Sequence, residues 1–426
     1  MLREFKVPCG DSEKRFLLDD ELLLYHFEPK LPSKVTLKDE ETKVREALER
    51  PIGTDRLRDI LEPGDRVVLL TDDWTRTTPV HKVIPLVLQE FFEAGVREKD
   101  VTIIVATGTH EPLTETQLRR KLGSKIVEKF KVENHDPDRN LVKVGTSSRG
   151  TPAFINRRVV EADKKVAIGG IVAHPLMGYG GGAKIIVPGV AGTRTVDVNH
   201  AMGDHQKAFV GIADGNPVRE DAEEIARMVG LDFIVNVIMD PRSRIIGAVA
   251  GDMVKAHRAG VEEYNKIYGV KVGEEADIVV LGSSPRDATV FHGTFALPTA
   301  TPFVKEGGTV VWVAACLAGA GDREERLAFR ELMSMDPDEM IRSIKDSARR
   351  GEESLASIFD WHTCKVLHRN KVVLVSDKIS RSEAEEFGFN YEESVQEALD
   401  EALRKEGGSA RVTVLPVGGL TVPVYD

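Results

Sequence analysis

Three segments of this sequence gather residue types that do chemistry. The first, Asp72-Asp73-Trp74-Thr75-Arg76-Thr77-Thr78-Pro79, places two carboxylates, three hydroxyls and one arginine ahead of a helix that Pro79 opens, where an anion can bind. The plainer alternative is that Asp72 or Asp73 caps that helix and pairs with Arg76. The second, Ala106-Thr107-Gly108-Thr109-His110-Glu111-Pro112, has a glycine that permits a tight turn and a histidine displayed just beyond a strand tip. A single loop histidine is more often a surface or packing residue than a catalytic one.

The third segment is the richest: Ala173-His174-Pro175-Leu176-Met177-Gly178-Tyr179-Gly180-Gly181-Gly182-Ala183-Lys184, then Pro188-Gly189 and Asn199-His200. Gly178, Gly180, Gly181 and Gly182 leave the backbone bare, so its N–H groups can approach a phosphate. Lys184 adds a compact cation or a nucleophilic amine. The segment is not a Walker A loop, because Ala183 separates glycine from lysine and Ile185 stands where a hydroxyl would hold magnesium. A flexible glycine loop with an ordinary lysine is the bland alternative. His174 and His200 lack the spacing of a zinc helix and have no third ligand close in sequence, so a metal would need donors from elsewhere, for example from a bound cofactor.

The elements that must position these loops alternate in type. Residues 66–71, 101–106, 165–172 and 232–239 are short β-branched runs. Between them, residues 79–95, 115–122 and 219–229 carry helical patterns. In such open parallel sheets ligands bind beyond the carboxyl ends of the strands, where all three loops fall. Gly273-Glu274-Glu275 reads as a linker, and a second series of runs follows at 276–281, 309–314 and 372–375. The expected fold class is α/β, with two domains each built on a mostly parallel sheet with flanking helices. Residues 1–273 form the cofactor-binding and catalytic domain, and residues 274–426 a domain closing the cleft, whose final strand could return to the first. The charged helices expected at 322–333 and 391–405 read as solvated faces.

Composition narrows the function. A length of 426 residues suits two or three domains at roughly 150 residues each. A net charge of −11 argues against a nucleic-acid partner, which needs a basic face. No apolar run approaches the roughly 20 residues of a membrane span. Three scattered cysteines and a charged N-terminus without an apolar core lead us to expect a cytoplasmic protein with no signal peptide.

Taken together and in order, the three segments resemble the motifs of the nickel-dependent lactate racemase family: Asp-Asp-x-Thr-Arg-Pro-Thr-Pro, then Thr-Gly-x-His, then a histidine followed by Ser-Gly-Gly-x-Lys, Pro-Gly and Asn-His. The resemblance implies a racemase or epimerase that inverts C2 of a 2-hydroxy acid by reversible hydride transfer to a nickel-pincer nucleotide. It assigns Lys184 the covalent attachment and His200 the nickel. It places Asp72, Asp73, Thr75, Gly178, Gly180, Gly181 and Gly182 around the cofactor, makes His110 and His174 the acid/base pair, and gives Arg76 the substrate carboxylate. It also implies dependence on cofactor-biosynthesis enzymes.

The departures matter. Thr77 replaces a proline and Gly180 a serine, both tolerable. Lactate-specific members carry Gly-Gly-Tyr-Pro-x-Asp-x-Asn-x-Tyr-Gln-x-x-Lys in the second domain, where this chain has His292 at the glutamine and Phe295 at the lysine. Losing that cation implies a 2-hydroxy acid larger than lactate or more polyhydroxylated, with His292 or Arg286 on its tail. Trp361 is matched to the tryptophan that walls the family's site, and a plain core role for Phe291, Phe295 and Trp361 is the alternative. Two alternatives stay open at this point: a carrier of the same fold that binds the cofactor or a sugar acid without turnover, and a zinc hydrolase or lyase at His174 and His200.

Overall fold

The computed structural model describes every residue except 322, 334, 353, 355 and 426. Two six-stranded sheets organise it. In the first, the strands Lys131–Asn134, Val101–Ala106, Val67–Asp72, Lys164–Ile171 and Phe233–Met239 run parallel, and Ile245–Gly251 closes the edge antiparallel to Phe233–Met239. These strands are apolar on both faces because both are covered. Val68 and Leu70 enter one core layer with Ile104, Ala167 and Ile234. Val67 and Leu69 enter the opposite layer with Ile103, Val166 and the helix Val80–Glu93. Parallel register sets Asp72 beside Ala106 and Thr71 beside Ile168, so the loops leaving these strands converge on one edge.

The second sheet is parallel throughout, in the order Asn390–Tyr391, Lys371–Val375, Val304–Val313, Ala276–Gly282, Val412–Leu415 and Leu23–His26. Its last member corrects the expected boundaries. Residues 2–26 belong with this sheet and not with the unit expected to begin at residue 1. The hairpin Leu2–Cys9/Ser12–Asp19 alternates apolar and charged residues, and a lone hairpin cannot bury such a face by itself. Phe5, Val7, Phe16 and Leu18 therefore pack on Ile278, Val280, Val311 and Val313. At the other end, Val422–Val424 pairs with Gly269–Lys271 beside the helix Lys255–Tyr268.

The expected helices appear at Arg323–Leu332 and Val395–Glu406. Asp322 lies outside the described residues. Among the described residues no helix is long and apolar enough to cross a membrane.

Candidate active site

A cavity of about 650 Å³ lies between the two units and receives all three loops. Asp73 and His110 meet in it, with His110 Nδ1 2.6 Å from Asp73 Oδ2. The other oxygen of Asp73 accepts the backbone N–H of Thr75 at 3.0 Å and its hydroxyl at 2.5 Å. Thr75 thus orients Asp73 and does not line the cavity. Burial opposes ionisation of Asp73, but the bond from His110 and the nearby Arg76 outweigh it and hold the carboxyl well below the usual range. An ionised Asp73 accepts the hydrogen bond of His110 Nδ1–H, which leaves a lone pair on Nε2 of the neutral ring.

His174 sits in a two-residue strand paired with Gly178–Tyr179 and is 3 % exposed. Its Nδ1 accepts the backbone N–H groups of Leu176 at 3.3 Å and Met177 at 3.1 Å. The neutral ring must then carry its proton on Nε2. Burial, followed by the charges of Lys184, Arg76 and Arg286, pushes its pKa well down. His110 and His174 are therefore not equivalent: His110 offers a lone pair and His174 an N–H.

Lys184 rises from the short turn Gly182–Ile185 into the same cavity. Burial and then Arg76 push its amine well below its ordinary pKa, against the pull of Asp73. His200 closes the helix Thr193–His200. Its orientation is set from behind. Asn199 Nδ2 donates to Val218 O at 3.0 Å and Asp221 Oδ2 at 2.8 Å, so the amide oxygen faces His200 Nδ1 at 3.1 Å. Nδ1 donates, and Nε2 keeps its lone pair. Burial, then Lys184, lowers this ring to about 3.

These residues fit the group that the resemblance implies. Among the described residues no three His, Cys, Asp or Glu side chains gather as metal ligands, so a metal at His200 must take its other donors from a bound molecule. A depressed pKa favours the neutral form of the Lys184 amine, the form that is acylated. The zinc alternative finds no ligand set here.

The glycine loop departs from expectation. Gly178 does not line the cavity: a Cβ there would lie 2.1 Å from Ile212 O, so this glycine serves close packing. Gly180, Gly181 and Gly182 do line it, but two of their N–H groups are already taken, Gly180 by Val172 O and Gly182 by Asn236 Oδ1, both at 2.8 Å. The bare backbone is needed for contact with protein, since a Cβ on Gly181 would meet Asn236 at 2.6 Å. Buried side chains hold the outer carbonyls. Arg219, 1 % exposed, donates to Met177 O and Tyr179 O, and His257 Nε2 lies 2.9 Å from Gly180 O.

The first loop is held in the same way. Lys121 donates to the carbonyls of Arg76 at 2.9 Å and Thr78 at 3.1 Å and lies 2.8 Å from Asp72. Asp72 also accepts the Thr78 hydroxyl. The capping alternative is not realised, because the helix Val80–Glu93 has no side-chain cap.

The second unit contributes Arg286, Phe291, Phe295 and Phe359 to the cavity. His292 stands behind this wall, bonded to Thr289 Oγ1 at 2.8 Å and edge-on to Phe291 and Phe295. Trp361 is a correction: its ring N–H donates to Pro337 O at 2.9 Å, and the ring is absent from the cavity wall. Phe359 takes the wall position, 5.9 Å from the His174 ring and 6.0 Å from the His200 ring. Residues two apart on the helix Ile358–Arg369 point about 200° apart, so when one faces the cavity the other cannot.

Acid should loosen this molecule through its buried rings. His174, His200, His257 and His362 have pKa values lowered by burial, to about 3 for His200 and His362. The unfolded chain takes up protons below about 6.5 while the folded one does not, so stability falls as pH drops from there toward 3. Thermal midpoints should decline steadily from pH 7 to pH 4.5. A flat profile would contradict the neutral rings.

Residues 9–211 match the family model of the lactate racemase N-terminal domain, and residues 272–424 that of the lactate racemase C-terminal domain. The sequence is 30 % identical over 424 residues to a lactate racemase of Thermoanaerobacterium thermosaccharolyticum, covering 98 % of each chain. It is 30 % identical over 393 residues to a lactate racemase of Lactiplantibacillus plantarum, covering 90 % of each. The fold superposes on the lactate racemase apoprotein of T. thermosaccharolyticum with a TM-score of 0.87 and 29 % identity, over 99 % of this chain and 100 % of that one. A Thermotoga maritima protein, 18 % identical with a TM-score of 0.66, over 94 % of this chain and 100 % of that one, shares the fold.

Proposed function

The chain belongs to the lactate racemase family and is an isomerase of the racemase kind; on that premise we propose that it inverts C2 of a 2-hydroxy acid larger than lactate, using a nickel-pincer nucleotide held by Lys184 and His200. One observation carries the reading: a lysine with a depressed pKa, an imidazole with a free Nε2, two further imidazoles and an arginine share one cavity. A carrier without turnover has no use for the last two imidazoles.

Lys184 provides the amine for a thioamide link. His200 would hold the nickel through its Nε2 lone pair, an imidazole donor that suits nickel(II). When bound, the nucleotide supplies an acceptor for the C2 hydrogen and its electron pair. The chain's own residues do the rest. Arg76, whose fork matches a carboxylate, fixes the acid end. His110 Nε2 takes the hydroxyl proton, and Asp73 stabilises the imidazolium that results. His174 directs its Nε2–H at the same oxygen from its own side of the cavity. The glycine loop and the phenylalanine wall exclude water, which would otherwise compete for both partners. We place the enzyme in the cytoplasm, supplied by the cofactor-biosynthesis enzymes.

The test is co-expression with those enzymes. Intact mass should show an adduct on Lys184 and one nickel per chain, and the loaded protein should erode the optical rotation of an enantiopure 2-hydroxy acid. Protein that carries neither adduct nor nickel, from cells that load a known lactate racemase in parallel, would sink the reading.

A further inference from the structure

Resting on that reading, we propose that the substrate's tail is aromatic, and that this enzyme takes aryl-substituted 2-hydroxy acids of the 3-phenyllactate type. The argument begins with three phenylalanines. Phe291, Phe295 and Phe359 are each only half-buried, and what they leave open faces the cavity. Their rings form one continuous row: Phe359 lies 5.0 Å from Phe295, which lies 5.2 Å from Phe291. The row starts at the reaction centre, where Phe359 is set edge-on to both His174 and His200. Ile344 and Ala356 extend the apolar surface.

Such a face left open to water calls for an apolar occupant. Ser357 and Asp360, which flank Phe359 in sequence, bond each other in a helix cap. A polyhydroxylated tail laid along the ring row would set its hydroxyls on carbon. A methyl group would leave most of the wall wet. An aryl ring can join the row edge-to-face, as Phe291 meets Phe295, or tilted, as Phe295 meets Phe359.

The acid end is accounted for separately. Phe295 stands where lactate-specific relatives place a lysine, but the same loop delivers Arg286 to the cavity. Arg286 donates to Ala173 O, next to His174, and acts electrostatically on Arg76 and His174. Among the described residues neither Arg76 nor Arg286 has a carboxylate within ion-pair distance. The two forks are placed to clamp one substrate carboxylate between the units, with the tail running along the phenylalanines.

Calorimetric titration of the purified protein tests this without cofactor, because the wall and both arginines belong to the chain. 3-Phenyllactate should bind roughly tenfold or more tightly than lactate or gluconate. Phe295→Ser should erase most of that preference by weakening phenyllactate, and Phe359→Leu, which keeps an apolar residue in the fold, should reduce it in part. Arg286→Gln should weaken all three acids alike. Equal affinity for lactate or gluconate, no binding of phenyllactate at millimolar concentration, or a preference untouched by Phe295→Ser would each overturn the proposal. A loaded enzyme that racemises lactate or gluconate faster than phenyllactate would overturn the aryl assignment and keep the racemase. Selective phenyllactate binding by a protein that never carries an adduct on Lys184 would do the reverse.

Discussion

Lys184→Ala is expected to abolish racemisation, by about 10⁴-fold or more, without harming the fold. Among the described residues the amine makes no hydrogen bond and no ion pair, so its removal breaks no polar contact. The amine is also held where burial and Arg76 penalise its charge. A residue under that penalty contributes little to stability, and its replacement should leave the thermal midpoint unchanged or raise it. Attachment of the cofactor is what disappears, and intact mass would lose the adduct. Lys184→Arg separates charge from chemistry, since it restores a cation but no acylable amine, and it should be as inactive as the alanine variant. An active Lys184→Ala enzyme would end the covalent assignment.

Asp73→Asn should lower kcat by about 10³-fold through a change of tautomer. Thr75 donates both its N–H and its hydroxyl to one oxygen of Asp73, so the asparagine that replaces it must turn its own oxygen toward Thr75. Its amide N–H₂ then faces His110 Nδ1, which becomes an acceptor, and the ring proton moves to Nε2. The base loses its lone pair on the side that faces the substrate. The check is kinetic and structural together: a large fall in kcat, a smaller change in KM, and an unchanged circular dichroism spectrum. Thr75→Val in the same background should restore a small part of the rate, because it removes one of the two donors that hold the asparagine oxygen and keeps the other. Wild-type kcat in Asp73→Asn would show that His110 is not the base.

Much of this was legible in the sequence because parallel strands are nearly pure apolar runs. Residues 66–71 and 101–106 were read almost to the residue, and the loops that leave them were found with them. The N-terminal hairpin was harder. Glu4 and Lys6 alternate with Phe5 and Val7, so neither strand is a continuous run, and Leu23–His26 is only four residues long. Phe359 was missed for Trp361 because a two-residue offset on a helix reverses the face, and an alignment across a poorly matched stretch does not resolve that. Arg219, His257 and Asn236 were invisible for a deeper reason. Each is a buried polar residue, Asn236 within an apolar strand and the other two on charged helices, and the loop groups they bond lie 40 or more residues away. The glycine loop misled in the same manner: its bareness was read as room for a ligand, whereas much of that room is filled by Asn236, Gly170 and Ile212.

The path of the chain between the two sheets has a practical outcome for anyone who would separate them. The polypeptide passes from one sheet to the other after Leu23–His26, again near residue 274, and once more before Val422–Val424. A fragment cut at residue 273 would keep an edge strand with no sheet to join and would lose the strand that runs beside Gly269–Lys271. The complementary fragment would present Val412–Leu415 as a raw edge and strip the hairpin from the face of its sheet. The halves are laced rather than hinged on a single tether, so relative motion around the cavity is confined to bending about three nearby threads, and a domain swap or a two-piece complementation scheme would have to respect all three.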